Sequence, residues 1–132
     1  MKAVVIVASN RAAAGVYADT SGPVLVAGLR PASVYWFRFT DADDHEHRLA
    51  VLQKLEVGDL VYIPGHVMMV IGHEDGTPYV IHDTTGISYR DAGGTVNRVV
   101  LNGVSVTPLT PLLFNRQTSF VDHITSILRV RP

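Results

Sequence analysis

Short apolar runs separated by turn residues dominate the chain, and this pattern is typical of strands rather than long helices. The predicted strands cover residues 3–8, 24–27 and 34–39, and strand follows strand from residue 58 to residue 89. The turn residues 19–23 separate the first two of these strands. A sheet is therefore the main predicted element of the fold.

Three turn sequences predict how the later strands connect. Pro64-Gly65 separates the first two strands of the 58–89 region, and Glu74-Asp75-Gly76 is predicted to close a hairpin between the second and third. Asn102-Gly103 lies between two valine-rich runs and predicts a further hairpin. Because hairpins join antiparallel strands, the sheet is predicted to be antiparallel.

Helical spacing of apolar residues is found in two places. The first predicted helix starts at a cap formed by Thr40 or Asp41 and runs through about Lys54. Gly58 follows it, and one face carries three leucines: Leu49, Leu52 and Leu55. The second predicted helix covers residues 119–130. Together these elements predict one α+β domain over residues 1–132, with an antiparallel sheet and few helices.

Composition narrows the classes of function. Hydrophobic residues make up 47% of the 132 residues and charged residues 17%, which is typical of a globular domain. The net charge is −1 and there is no run of like charges, so the sequence indicates no basic surface for binding nucleic acid or an anionic membrane. The apolar runs are too short for a membrane span, and the run at 3–8 is too short for a signal peptide and is assigned to a strand. The chain has no cysteine, which excludes disulfides and thiolate-ligated metals.

Two histidines occupy matched places in the predicted hairpin. His66 directly follows Pro64-Gly65 at the start of one strand, and His82 closes the next. A hairpin centred at position 74 brings both to the same end, within hydrogen-bond or one-water reach. One imidazole that takes a proton, and a second polar group that orients it, form the base half of a nucleophilic site. We therefore predict that His66 and His82 line one cleft, with Asp83 and Thr84 as a substrate-binding wall beside them.

The other polar residues have plainer interpretations. The run Asp43-Asp44-His45-Glu46-His47 indicates a solvated helix start, since His45 and His47 point to different faces and cannot chelate one metal together. His73 and His123 are predicted to be exposed, and Met68-Met69 to contribute to the core.

Several segments together resemble the NlpC/P60 family, papain-like cysteine peptidases that cut bacterial cell-wall peptides. The matching segments are Gly58-Asp59-Leu60, Gly65-His66-Val67, Gly72 and Ile81-His82. The downstream segment is similar to the branch that carries SH3-like domains before the catalytic domain. There a glycine is followed by a hairpin and a terminal amphipathic helix, which here correspond to Gly86, to Arg98-Val99-Val100 with Gly103-Val104, and to residues 119–130. The resemblance covers about residues 55–130, the histidine-bearing half of the family domain.

The resemblance implies a papain-like fold, His66 as general base and His82 as its orienting residue. It also implies hydrolysis of the bond between γ-D-glutamate and the diamino acid of a peptidoglycan stem peptide, without a cofactor. An envelope or secreted location is implied by the resemblance alone.

The family nucleophile is a cysteine in an Asp-Cys-Ser-Gly motif, and two alignments of the N-terminal third remain open. In one, Asp19-Thr20-Ser21-Gly22 takes the place of that motif, with the far weaker nucleophile Thr20 at the cysteine position. In the other, residues 9–19 match the loop that follows the cysteine helix, and the nucleophile lies upstream of Met1. The spacing to Gly58 favours the second alignment, and under either one this chain alone is not a working cysteine peptidase.

Three hypotheses follow for the function. The first is a hydrolase module whose nucleophile is absent from this chain. The second is a non-catalytic relative that binds a stem peptide or a protein partner. The third is a metal-binding domain that uses His66 and His82, with Asp83 or Asp59 nearby.

Overall fold

The computed structural model describes residues 34–130. The strands predicted at 3–8 and 24–27, the turn at 19–23 and both candidate cysteine-motif alignments lie outside this range.

Within residues 34–130, an antiparallel sheet and two short helices confirm the predicted α+β class. In chain order the elements are β1 (Val34–Arg38), α1 (His45–Leu52), β2 (Leu60–Ile63), β3 (His66–Glu74), β4 (Thr77–Arg90), β5 (Val96–Pro108), α2 (Phe120–His123) and β6 (Ser126–Arg129). The six strands lie in the order β1-β6-β2-β3-β4-β5. No helix in this part of the chain is long and apolar enough to cross a membrane.

The helix predicted from Thr40 or Asp41 begins later than expected. Asp43 closes a separate turn, because its carboxylate accepts a hydrogen bond of 2.7 Å from the Thr40 backbone N–H. Asp44 is the actual cap of α1, and its Oδ1 accepts a 2.8 Å bond from the His47 backbone N–H. The helix also ends earlier than predicted, at Leu52, so Leu55 lies beyond it. The three leucines nevertheless face the core, because Leu52 and Leu55 are buried and Leu49 packs against the same cluster.

The hairpin predicted at Asn102-Gly103 is wrong. β5 runs continuously past these residues, because both flanks pair with the same long strand: Val104 lies opposite Asp83 and Val100 opposite Gly86. Asn102 has a φ of 51° and forms part of a β-bulge.

The helix predicted over 119–130 is only partly correct. Ser119 caps α2, which ends at His123, and the chain then becomes extended and enters the sheet as β6. Ile127 pairs with Val61 of β2 and also lies beside β1. Tertiary pairing therefore overrides the helical spacing, although Ile124 and Ile127 are buried as that spacing implied.

The main core lies between one face of the sheet and the two helices. It contains Leu52 of α1, apolar side chains of the central strands, Val121 of α2, and Ile124, which directly follows α2. Buried Arg48 ties these layers together, because its guanidinium donates to the backbone carbonyls of Thr40, Asp43, Val121 and Ile124. This bonding fixes α2, and with it Phe120, next to the end of the sheet that carries the histidines.

Candidate functional site

A tight turn places His66 at the first position of β3. Ile63 pairs directly with His66, so Pro64 and Gly65 alone connect the two strands. Gly65 has a φ of 75°, and proline followed by such a glycine is the pattern of a type II turn. The motif that singled out His66 in the sequence is therefore the turn that sets its position.

The register between β3 and β4 brings His82 to His66. Met69 lies opposite Ile81. This register is displaced by two residues from the one in which His66 and His82 would lie directly opposite each other. A shift of two preserves the face, since side chains alternate along a strand. The imidazoles are consequently diagonal neighbours, and His66 Nε2 lies 2.7 Å from His82 Nδ1.

The cause of this register lies near the hairpin turn. Asp75 and Gly76 both have positive φ values, 48° and 77°, as a type I′ turn requires. The register then shifts between Val70 and Gly72, where Ile71 is the extra residue of a bulge. The sequence indicated the turn correctly, but the bulge left no recognisable signal.

Thr107 of β5 is a third member of the arrangement, and no sequence pattern around it indicates this role. Its Oγ1 lies 2.8 Å from His82 Nε2, and the two side chains are only 3% and 4% exposed. In the β4–β5 ladder His82 pairs with Ser105, so Thr107 is its diagonal neighbour on the same face. Its place beside His82 depends on the register of the β4–β5 ladder, which the hairpin wrongly predicted at residues 102–103 did not include. We call His66, His82 and Thr107 the histidine relay.

Burial sets the protonation of both imidazoles. Desolvation, followed by the proximity of His66, lowers the pKa of His82 from its ordinary value of 6.5 to about 4. Desolvation also lowers the pKa of His66, and the negative charge of Asp83 opposes both shifts without cancelling them. Both rings are therefore neutral near pH 7.

One ring nitrogen of the relay remains open. Among residues 34–130, His66 forms its hydrogen bond through Nε2 and His82 uses both of its nitrogens, which leaves His66 Nδ1. The Phe120 ring lies edge-on to His66, with 6.4 Å between ring centroids. The relay thus ends in a half-buried imidazole with one nitrogen available to a ligand.

The predicted wall residues do not join the relay through hydrogen bonds. The Thr84 hydroxyl donates to the Gly86 carbonyl at 2.9 Å and accepts from the Gly86 N–H, so it is engaged within β4 itself. Asp83 alternates with His82 along β4 and therefore lies on the other face, where it acts on the histidines only through its charge. Their predicted role in substrate binding remains a prediction.

The remaining histidines have structural partners or are exposed. His45 Nδ1 lies 2.7 Å from Asp122 Oδ1, whereas His47 lies near Asp43, so the two do point apart as predicted. His73 is exposed as predicted. His123 is not exposed, because it stacks on Phe114 with 3.9 Å between ring centroids and bonds to the Thr118 hydroxyl.

Asp59 lies far along the hairpin from the histidines and has other partners. It is 1% exposed, and its two carboxylate oxygens accept hydrogen bonds of 3.0 Å and 2.7 Å from the Arg129 guanidinium. The Arg129 guanidinium also stacks over the Trp36 ring at 4.1 Å. The third hypothesis needed Asp59 or Asp83 as a metal ligand, yet residues 34–130 contain no group of three or more potential ligands placed to hold a metal ion.

Comparison with protein-family models finds no match, and comparison with curated proteins finds none either. The geometry of the histidine relay is therefore the basis for any functional proposal.

Proposed function

We propose that this chain is an NlpC/P60-like module for cell-wall peptides, with His66 and His82 as the histidine half of a cysteine-peptidase site. The observation that carries the proposal is the 2.7 Å contact between His66 Nε2 and His82 Nδ1, which leaves His66 Nδ1 open. A base in such a site needs one nitrogen for the reacting group and the other held by an orienting partner. In the relay, His66 Nε2 is held by His82, and His66 Nδ1 is the nitrogen that would face the reacting group.

The roles of the two rings follow from their burial. His66 is half-buried at the end of β3 and takes the position of the general base. His82 is buried between His66 and Thr107 and holds the His66 ring plane in place. A thiol brought to His66 Nδ1 would give its proton to that nitrogen, and His82 would stabilise the resulting imidazolium by accepting from Nε2–H.

The absence of cysteine decides what this chain does alone. Without a thiol, the proposed site has its base and its orienting residue but no nucleophile of the family type. We therefore propose that the chain binds a stem peptide that carries the γ-D-glutamyl–diamino acid bond and does not cleave it through a thiol. Cleavage is proposed only for a longer form that supplies the family cysteine.

A binding and cleavage assay with one synthetic stem peptide tests the proposal. We expect the peptide to shift the His66 and His82 resonances in NMR spectra, with no product detectable by mass spectrometry. His66→Gln should weaken binding at least about tenfold, whereas His73→Gln, the same change at an exposed histidine, should leave it unchanged. Absence of any shift at the two histidines, or equal affinity of the two variants, would overturn the proposal.

Reading the encoding DNA upstream of Met1 tests the catalytic half separately. An in-frame Asp-Cys-Ser-Gly segment predicts that the longer polypeptide cleaves the peptide, and that His66→Gln abolishes the cleavage. A longer form with this cysteine that binds the peptide but cannot cut it would contradict the assignment of His66 as base.

A further inference from the structure

The relay can carry its protons in two ways. Because both rings are neutral near pH 7, each imidazole has one N–H. In the first arrangement, His66 Nε2–H donates to His82 Nδ1, and His82 Nε2–H donates to the Thr107 hydroxyl. In the second, the Thr107 hydroxyl donates to His82 Nε2, and His82 Nδ1–H donates to His66 Nε2. The two arrangements differ at the open atom: His66 Nδ1 is bare in the first and protonated in the second.

The surroundings of Thr107 distinguish the two arrangements. Within residues 34–130 the Thr107 hydroxyl has one hydrogen-bond partner, His82 Nε2. If Thr107 accepts from His82, its own hydrogen has no acceptor among residues 34–130, although the side chain is 3% exposed. If Thr107 donates, that hydrogen is satisfied and only lone pairs are left over. An unsatisfied buried donor is costly, so the second arrangement is favoured.

We propose that Thr107 is a positioning residue that donates its hydroxyl hydrogen to His82 Nε2 and thereby keeps a proton on His66 Nδ1. The open atom of the relay is then a hydrogen-bond donor, and the ligand group that fits it is an acceptor, a peptide carbonyl or carboxylate. The proposal rests on the proposed function in taking His66 as the residue that faces the ligand. To act as a base, His66 would need the first arrangement, with the Thr107 hydroxyl turned from donor to acceptor.

Long-range ¹H–¹⁵N correlation spectra of the whole chain test the proton positions, because they distinguish protonated from bare imidazole nitrogens. Near pH 7 we expect His66 to be protonated at Nδ1 and bare at Nε2, and His82 likewise. We expect a bias of about tenfold or more over the other tautomer, which corresponds to the cost of one unsatisfied buried donor. Protonation of His66 at Nε2 would overturn the proposal.

Two variants test whether Thr107 sets this bias. Thr107→Ser keeps the hydroxyl, so the spectra should match those of the unaltered chain. Thr107→Val keeps the shape but offers neither donor nor acceptor, so His82 Nε2 loses this partner whether it carries a hydrogen or its single lone pair. The two arrangements then cost about the same, and the tautomer ratio at His66 should fall about tenfold, toward a mixture. A folded Thr107→Val variant with an unchanged ratio would contradict the positioning role. If that variant fails to fold, the unaltered chain and Thr107→Ser still decide the proton positions.

The spectra and the peptide assay fail independently. Protonated His66 Nδ1 without any binding of the stem peptide would overturn the proposed function and leave the proton placement standing. Binding of the peptide to a chain with bare His66 Nδ1 would overturn the proton placement and leave the proposed function standing.

Discussion

The β2–β3 hairpin carries a polar pair at each end, and the two pairs differ in completeness. At the open end, Arg129 satisfies both oxygens of Asp59, and the Glu56 backbone N–H donates to one of them as well at 2.8 Å. At the turn end, His66 and His82 bond to each other, yet His66 Nδ1 has no partner among residues 34–130. Both pairs link distant parts of the chain, but within residues 34–130 only the second leaves a ring nitrogen without a partner.

This difference in hydrogen bonding identifies the Asp59–Arg129 pair as structural and the His66–His82 pair as the candidate site. A buried pair whose donors and acceptors are all used stabilises the fold and offers nothing to a ligand. A relay that is satisfied on its buried side and open on its outer side is oriented and still available. The Asp59 pair and the histidine relay should therefore respond differently to substitution.

The largest expected effect is at the complete pair. Asp59→Asn should lower the free energy of unfolding by about 3 kcal/mol, because Arg129 loses the nearer and more buried of its two carboxylate partners. Chemical denaturation measures this loss. Asp75→Asn makes the same change in an exposed turn and should remain within about 0.5 kcal/mol of the unaltered chain. Equal losses in the two variants would mean that the Asp59 pair is not a structural one.

The relay should make stability depend on pH. The pKa of His82 is about 4 in the folded chain, against an ordinary value of 6.5, so the unfolded chain binds more protons between these values. Stability is then fully present above about pH 6.5 and falls by about 2–3 kcal/mol as the pH drops to 4. Denaturation at several pH values should show this slope. His82→Gln should reduce it and His73→Gln should not; identical slopes in these two variants would contradict the assignment to His82.

A smaller effect is expected where β4 and β5 approach beside the bulge. A Cβ at Gly86 would lie 2.6 Å from the Val99 carbonyl oxygen, so Gly86→Ala should cost about 1–2 kcal/mol. Gly72→Ala is the matched control, since a Cβ there meets nothing within 4 Å. Thermal unfolding of the two variants provides the comparison, and equal midpoints would show that the ladder tolerates a side chain at Gly86.

The smallest effect on stability is expected at the open end of the relay. His66→Gln should change the free energy of unfolding by less than about 1 kcal/mol, because His66 is half-buried at a strand start. The same variant should lose affinity for the stem peptide, which isothermal titration can measure. A stability loss as large as that of Asp59→Asn would make His66 a structural residue and remove the distinction between the two ends.

Local chemistry predicted the parts of the fold that depend on few residues. Asp75-Gly76 formed the predicted turn because both residues tolerate positive φ, and the turn at Pro64-Gly65 placed His66 correctly. The contact between His66 and His82 followed from the alternation of side chains, even though the register was displaced by two residues.

The features that the sequence did not predict depend on distant partners. Asn102-Gly103 has the composition of a hairpin turn, but the 14 residues of β4 offer a continuous partner, so the chain bulges instead of reversing. Ile127 fits a helical pattern, but the position between β1 and β2 makes it part of a strand. Thr107 was missed for the same reason, since nothing near it in sequence indicates that it lies beside His82.

The place of β6 in the sheet has a consequence for the order of folding. This strand is the last one within residues 34–130, yet it lies inside the sheet between β1 and β2. Its pairing with β1 joins Arg38 to Ser126, so it must close a long loop, which is slow compared with forming local hairpins. On a ribosome, the β2–β3–β4–β5 meander can form as it emerges, whereas β1 must wait for residues 126–129 before it can pair with β6.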